Sequence, residues 1–101
     1  MNKVFLMGFV DMAPLFSDSG TVERSTFILR VPPEGMERQS AFVRVTSFGK
    51  AAQFVKKNIT LGKKLMVTGR LSVSKSTEVI SEEIVFVESL QNEKARVRDS
   101  N

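Results

Sequence analysis

The chain has 101 residues, 15 Lys plus Arg against 11 Asp plus Glu, and neither cysteine nor histidine, so its formal net charge is +4. That length fits one small domain with a single core. The missing Cys and His remove disulfides, the usual zinc ligands and every thiol or imidazole nucleophile, so no metal or cofactor is expected and an enzyme is the least favoured class.

Period-two alternation dominates the chain and predicts five strands. Asn2 to Asp11 reads as the first, apolar on both sides and so central to a packed sheet. Met1 to Val10 lacks the charged start and small-residue cleavage site of a signal peptide. No apolar run approaches the roughly 18 residues of a membrane span, so a cytoplasmic protein with no membrane partner is expected. Ala13-Pro14 and Ser17-Asp18-Ser19-Gly20 supply turn chemistry, and a second strand runs from about Ser25 to Val31 until Pro32-Pro33-Glu34-Gly35 breaks it. Ala41 to Phe48 is the third strand. Lys50 to Asn58 is the one helical segment, with Ala51, Phe54, Val55 and Ile59 at three- and four-residue spacings and Gly62 beyond its end.

A fourth strand covers Lys64 to Lys75, where Leu65, Val67, Leu71 and Val73 alternate with Lys64, Met66, Arg70 and Ser72. Gly69 takes an inward slot there, the mark of a sharp bend or close backbone contact at a barrel corner. The last strand spans about Glu78 to Val87, with an irregularity expected at Ser81-Glu82-Glu83. Three strands, a helix and two strands is the order of the five-stranded Greek-key barrel called the OB-fold, an all-β architecture with one short helix; a sandwich fragment is the other arrangement. A domain over residues 1–90 followed by a short polar, flexible end over residues 91–101 is expected.

Charge is segregated along the chain. Between Glu37 and Glu78 there is no acidic residue, whereas Arg38, Arg44, Lys50, Lys56, Lys57, Lys63, Lys64, Arg70 and Lys75 fall in that stretch. From Ser76 to Glu93 the balance inverts, with Glu78, Glu82, Glu83, Glu88 and Glu93 and no Lys or Arg. A positive face drawn from the middle third follows, which favours a nucleic-acid partner.

The third strand carries the most specific chemistry. Its inner face collects Ala41, Val43, Val45 and Ser47; its outer face collects Phe42, Arg44, Thr46 and Phe48. Burying Arg44 unpaired on that face would cost several kcal/mol, whereas facing water it costs little. Exposed rings beside a cation suit single-stranded nucleic acid, whose bases stack on rings for about 1–3 kcal/mol each while the cation holds phosphate. Duplex DNA hides its base faces, so single strands are favoured. The other reading is a rim covered by a loop or a second subunit, with Arg44 paired to one of the late glutamates.

These residues resemble the bacterial-type single-stranded DNA-binding protein (SSB) family. Met1-Asn2-Lys3-Val4-Phe5-Leu6-Met7-Gly8 is similar to that family's opening, Phe48-Gly49-Lys50 to its exit from the third strand, Val67-Thr68-Gly69-Arg70-Leu71 to its fourth strand, and Thr77-Glu78-Val79-Ile80 to the start of its last. The matches fall in order over residues 1 to about 88. The resemblance implies that Phe48 and Phe42 stack bases, that Arg44 is a basic contact of the same strand, and that Lys3, Lys50 and Lys75 touch phosphates. Arg70 in the fourth-strand motif is a further candidate contact. Phe9, usually polar in the family, has the outward phase of a third stacking ring; simple burial is its alternative.

Departures from the family are equally specific. Ser72 to Ser76 is shorter than the family's hairpin arm, so Ser76 stands where some members place an aromatic; Gly35 replaces another ring and Leu61 a common Lys. Fewer rings imply weaker binding or a smaller site per subunit. The sequence stops at Arg96-Val97-Arg98-Asp99-Ser100-Asn101 where family members usually carry a linker and an acidic tip, and a compact form without that recruiting tail is expected.

The expected function is non-catalytic binding and protection of single-stranded DNA with little sequence specificity, in replication, recombination or repair, by a nucleoid-associated protein. The alternative is an OB-fold assembly or primosome-type accessory module that docks a protein through the same surface. The resemblance implies a homo-oligomer, a tetramer or otherwise a dimer, and a replication or helicase partner.

Overall fold

Inward apolar phases from five strands converge on one interior. The computed structural model describes residues 1–18, 20–73 and 76–87. Strands β1 (Val4–Ser17), β2 (Arg24–Val31), β3 (Ala41–Phe48), β4 (Lys64–Val73) and β5 (Thr77–Phe86) close into a barrel in the order β1-β2-β3-β5-β4, with helix α1 (Lys50–Asn58) between β3 and β4 in sequence. All neighbouring pairs are antiparallel except β3 with β5, where Val45 faces Val79 and Thr46 faces Ile80. The Greek-key barrel expected from the alternation is the fold observed.

Every strand feeds the core: Val10 from β1, Phe27 and Leu29 from β2, Val45 from β3, Leu65 and Val67 from β4, Val79 from β5. Each such side chain contributes about 1.5–3 kcal/mol by leaving water. Helix α1 closes one end with Ala52, Val55 and Ile59, which are buried. Its buried stripe differs from the expected one, since Ala51 and Phe54 are exposed. Residues 52, 55 and 59 follow the helical period most directly, and this leaves Phe54 at the stripe's edge, where its ring meets Phe86 at 6.0 Å. Lys56 and Lys57 in the last turn complement the helix dipole.

The first strand departs most from expectation. Ala13-Pro14 is not a turn: β1 continues through Ser17, with register shifts between Val10 and Met12 and between Met12 and Leu15. Each shift inserts one extra residue on β1, and a bulge is where proline's missing N–H costs no ladder bond. The bulges coil the strand around the barrel, so that Val4 to Phe9 pairs with β4 while Phe9 to Ser17 pairs with β2. Phe9 belongs to both pairings.

Glycine is required where strands press together. A Cβ on Gly69 would lie 2.1 Å from the Ile80 carbonyl oxygen, and one on Gly8 would lie 2.3 Å from that of Arg30. The inward slot read at Gly69 is therefore a close backbone contact. Opposite it, Thr68 pairs with Glu83 and Gly69 with Ser81, so Glu82 is the extra residue of a bulge in the segment expected to be irregular.

Candidate nucleic-acid interface

The outer face of β1, β2 and β3 is organised in cross-strand rows, because antiparallel register brings outward residues opposite one another. Phe9, Arg30 and Phe42 form one row; Met12, Ile28 and Arg44 the next; then Leu15, Thr26 and Thr46; then Ser17, Arg24 and Phe48. A ring stands beside a guanidinium at each end of this wall. Phe48 lies six residues after Phe42 on β3, about 20 Å of strand. Phe42 is 61% exposed and Phe48 44%, so among the described residues nothing closes over either ring.

The guanidiniums are held loosely. Arg44 Nη1 donates to Ser76 Oγ at 3.0 Å, across from the start of β5. Arg30 Nε lies 3.9 Å from Asp11 Oδ1. Neither Arg44 nor Arg24 has an ion pair among the described residues, so the pairing of Arg44 with a late glutamate does not occur there. Phe9 is half-buried, with the Arg30 guanidinium carbon 5.1 Å and Lys64 Nζ 5.8 Å from its ring centre. That corner presents cations gathered on a ring more than a bare ring.

The centre of the wall is polar and partly closed. Thr46, read as an outward residue of β3, is only 2% exposed. Its hydroxyl is 3.1 Å from Thr26 Oγ1 and bonds to the Glu78 carboxylate. Two neighbouring strands thus close over a side chain that alternation alone leaves open. Beneath it, inward Ser47 bonds Ser81 across the parallel pair at 2.6 Å.

The other residues singled out in the sequence lie at varying distances from this wall. Lys50 is exposed at the start of α1, two residues beyond Phe48. Arg70 is exposed on β4 opposite Ile80, itself opposite Thr46. Lys3 is ion-paired to Glu82, with both side chains exposed. Lys75 and the residues of the 91–101 end lie outside the described residues. Sequence reasoning missed Arg24 and Arg30, although Arg24, Thr26, Ile28 and Arg30 alternate with buried Ser25, Phe27 and Leu29. Their outward phase was the available signal.

The barrel's second outer wall is different in kind. Phe5 lies opposite Thr68, Met7 opposite Met66, and Met66 opposite Val85, all four apolar residues being exposed, Phe5 by 70%. Pro32 and Pro33 border the same groove.

A closed barrel with this strand order, and with its helix between the third and fourth strands, is an OB-fold; here one wall carries rings interleaved with arginines. A family model described as SSB, single-strand binding protein family, matches residues 1–94. The chain belongs to that family. A curated single-stranded DNA-binding protein from Mycoplasma genitalium is 34% identical over 79 residues, which are 76% of this chain and 49% of that protein. The chain thus spans about half the length of this relative. Among solved structures, the SSB domain of a Synechococcus sp. protein matches with a TM-score of 0.75 at 22% identity, over 83% of this chain and 93% of that one. The single-stranded DNA binding protein of Thermus aquaticus matches at 0.76 and 21% identity, over 88% of this chain and 41% of that one. The N-terminal domain of PriB from Thermoanaerobacter tencongensis, a dimeric structure, matches at 0.72 and 23%, over 87% and 98%.

Proposed function

We propose that the chain binds single-stranded DNA without catalysis and with little sequence preference, protecting exposed strands during replication, recombination or repair. The observation that carries this reading is the exposure of Phe42 and Phe48 on a wall where Arg30 stands opposite Phe42, Arg24 opposite Phe48, and Arg44 in a row between them. Rings stack on bases of any identity, and guanidiniums grip phosphate oxygens with paired donors. Lys50 and Arg70 extend the positive path at the edges of the wall, with Lys3 and Lys75 as further candidates. The Mycoplasma relative, a single-stranded DNA-binding protein, agrees with this assignment. The protein acts in the cytoplasm, associated with the nucleoid.

The test is a fluorescently labelled oligonucleotide titrated by anisotropy at several salt concentrations, since the chain has no Trp or Tyr to report binding. Each phosphate neutralised on a single strand contributes about 0.7 to the slope of log affinity against log salt, so three arginine contacts give a slope of about −2 per subunit. Undetectable binding at low salt, or binding indifferent to salt, overturns the reading.

The exposed Phe5, Met7, Met66 and Val85 wall favours self-association as a second property. A homo-oligomer formed through it, a tetramer or otherwise a dimer, leaves Phe42 and Phe48 facing outward and gives several copies of the ring wall to one strand. The dimeric PriB domain is consistent with such assembly.

A further inference from the structure

Beside Thr46, between the rows of the two outer rings, the groove holds a carboxylate, an odd group for a surface that follows a polyanion. Glu78 and Arg44 line the same groove, yet Arg44 turns to Ser76, and among the described residues no cation pairs with Glu78. What fixes Glu78 is a hydroxyl relay: Thr26 and Thr46 are within hydrogen-bond distance, and Thr46 donates to one Glu78 oxygen. Thr46 is buried, so the relay is rigid. An ionised carboxylate has about four acceptor positions, of which Thr46 uses one.

Arg24 and Arg44 line the same groove, so a strand whose phosphates lie on these arginines and away from the carboxylate would turn a base edge toward Glu78. In a single strand that edge is unpaired and open to side chains. Guanine offers two adjacent donors there, its imino N1–H and its amino N2–H. Thymine offers one N–H between two carbonyl oxygens, which a carboxylate repels. Resting on the single-strand-binding reading above, we propose that Glu78, positioned by Thr46, is a base-selecting residue that favours guanine and disfavours thymine at the centre of the groove. Stacking on Phe42 and Phe48 is indifferent to base identity, so the preference is modest and local.

The experiment compares a labelled thymine tract with tracts in which every third base is guanine or hypoxanthine, the latter lacking only the amino donor. Wild type is set against Glu78→Gln, which still accepts from Thr46, with thermal unfolding as the check that the fold is kept. Removing the charge raises affinity for every tract alike, so the informative quantity is the guanine-to-thymine affinity ratio. That ratio falls about five-fold in Glu78→Gln, the low end of what a paired base contact discriminates. Hypoxanthine lies between the two bases in wild type. Thr46→Val, which keeps the side chain's shape but loses the hydroxyl, lowers the ratio in the same direction. A ratio unchanged by Glu78→Gln, with binding itself intact, overturns the proposal and leaves single-strand binding standing; failure of every tract to bind overturns both.

Discussion

The two outer walls of the barrel share a strand, β1, yet present opposite surfaces. Toward β2 and β3 the wall alternates rings with guanidiniums: Phe9 with Arg30 and Phe42, Arg24 with Phe48. Toward β4 and β5 it presents Phe5, Met7, Met66 and Val85, an apolar patch whose charges, Lys64 and Arg70 of β4, stand at its borders. Apolar area with little charge suits a protein surface that packs densely, whereas rings spaced by cations pack poorly and suit a flexible polyanion whose bases can be splayed. The length of β1 makes this division possible: Phe9 ends its pairing with β4 and begins its pairing with β2, and the bulges beyond it bend the strand along β2.

The largest effect expected from breaking this division is on the ring wall. Phe42→Ala with Phe48→Ala removes two stacking platforms and costs roughly 2–6 kcal/mol in oligonucleotide binding. Size-exclusion chromatography with light scattering should show the oligomer unchanged. If the double variant instead dissociates the oligomer or a bound protein while oligonucleotide binding persists, the rings belong to a protein contact and the accessory-module reading takes over.

The reciprocal change addresses the apolar wall. Phe5→Glu with Met66→Glu places charges on a surface read as self-associating and should give monomers in sedimentation velocity. Each monomer keeps its rings, so affinity for a short oligonucleotide falls little, while a long one loses the gain from several linked sites, about 100-fold or more. Equal losses on short and long strands would show that the walls are not independent.

A smaller, quantitative prediction concerns Arg44. Its one described hydrogen bond is to an exposed serine, so Arg44→Gln leaves thermal stability within about 0.5 kcal/mol of wild type. Loss of one phosphate contact should flatten the salt slope by about 0.7, and anisotropy titrations at several salt concentrations measure it. The same substitution at Arg30 tests the row that sequence reasoning overlooked.

Much of this arrangement was legible in the residue pattern, and the omissions share a cause. Alternation identified the five strands, three- and four-residue spacings the helix, and strand phase put Phe42, Arg44 and Phe48 on one face, because side-chain phase is local. Register is not local. That Arg30 stands between Phe9 and Phe42 depends on two registers: that of β1 on β2, which the two bulges in β1 set, and the unbroken one of β2 on β3. Ala13-Pro14 looked like a turn for the same reason, since only a partner strand distinguishes a bulge from a break. Thr46 shows the converse failure: its phase is outward, but Thr26 and Glu78, from strands distant in sequence, cover it.

Lys3 provides the finest test of where one wall ends. The family resemblance makes it a phosphate contact, but its ammonium is paired with Glu82, on the bulge of β5, 79 residues away. Both side chains are exposed, and such a pair is worth at most about 1 kcal/mol, so a phosphate can compete for the lysine at little cost. Glu82→Gln frees Lys3, and Glu83→Gln removes an equal charge from the neighbouring exposed position without touching the pair. If the strand runs past the ring wall to the start of β1, Glu82→Gln raises affinity by more than Glu83→Gln does, roughly five-fold at most, and steepens the salt slope by about 0.7. Equal effects from the two variants would confine the strand to the wall between Phe42 and Phe48, and would leave Lys3 a tether between the chain's start and the β5 bulge.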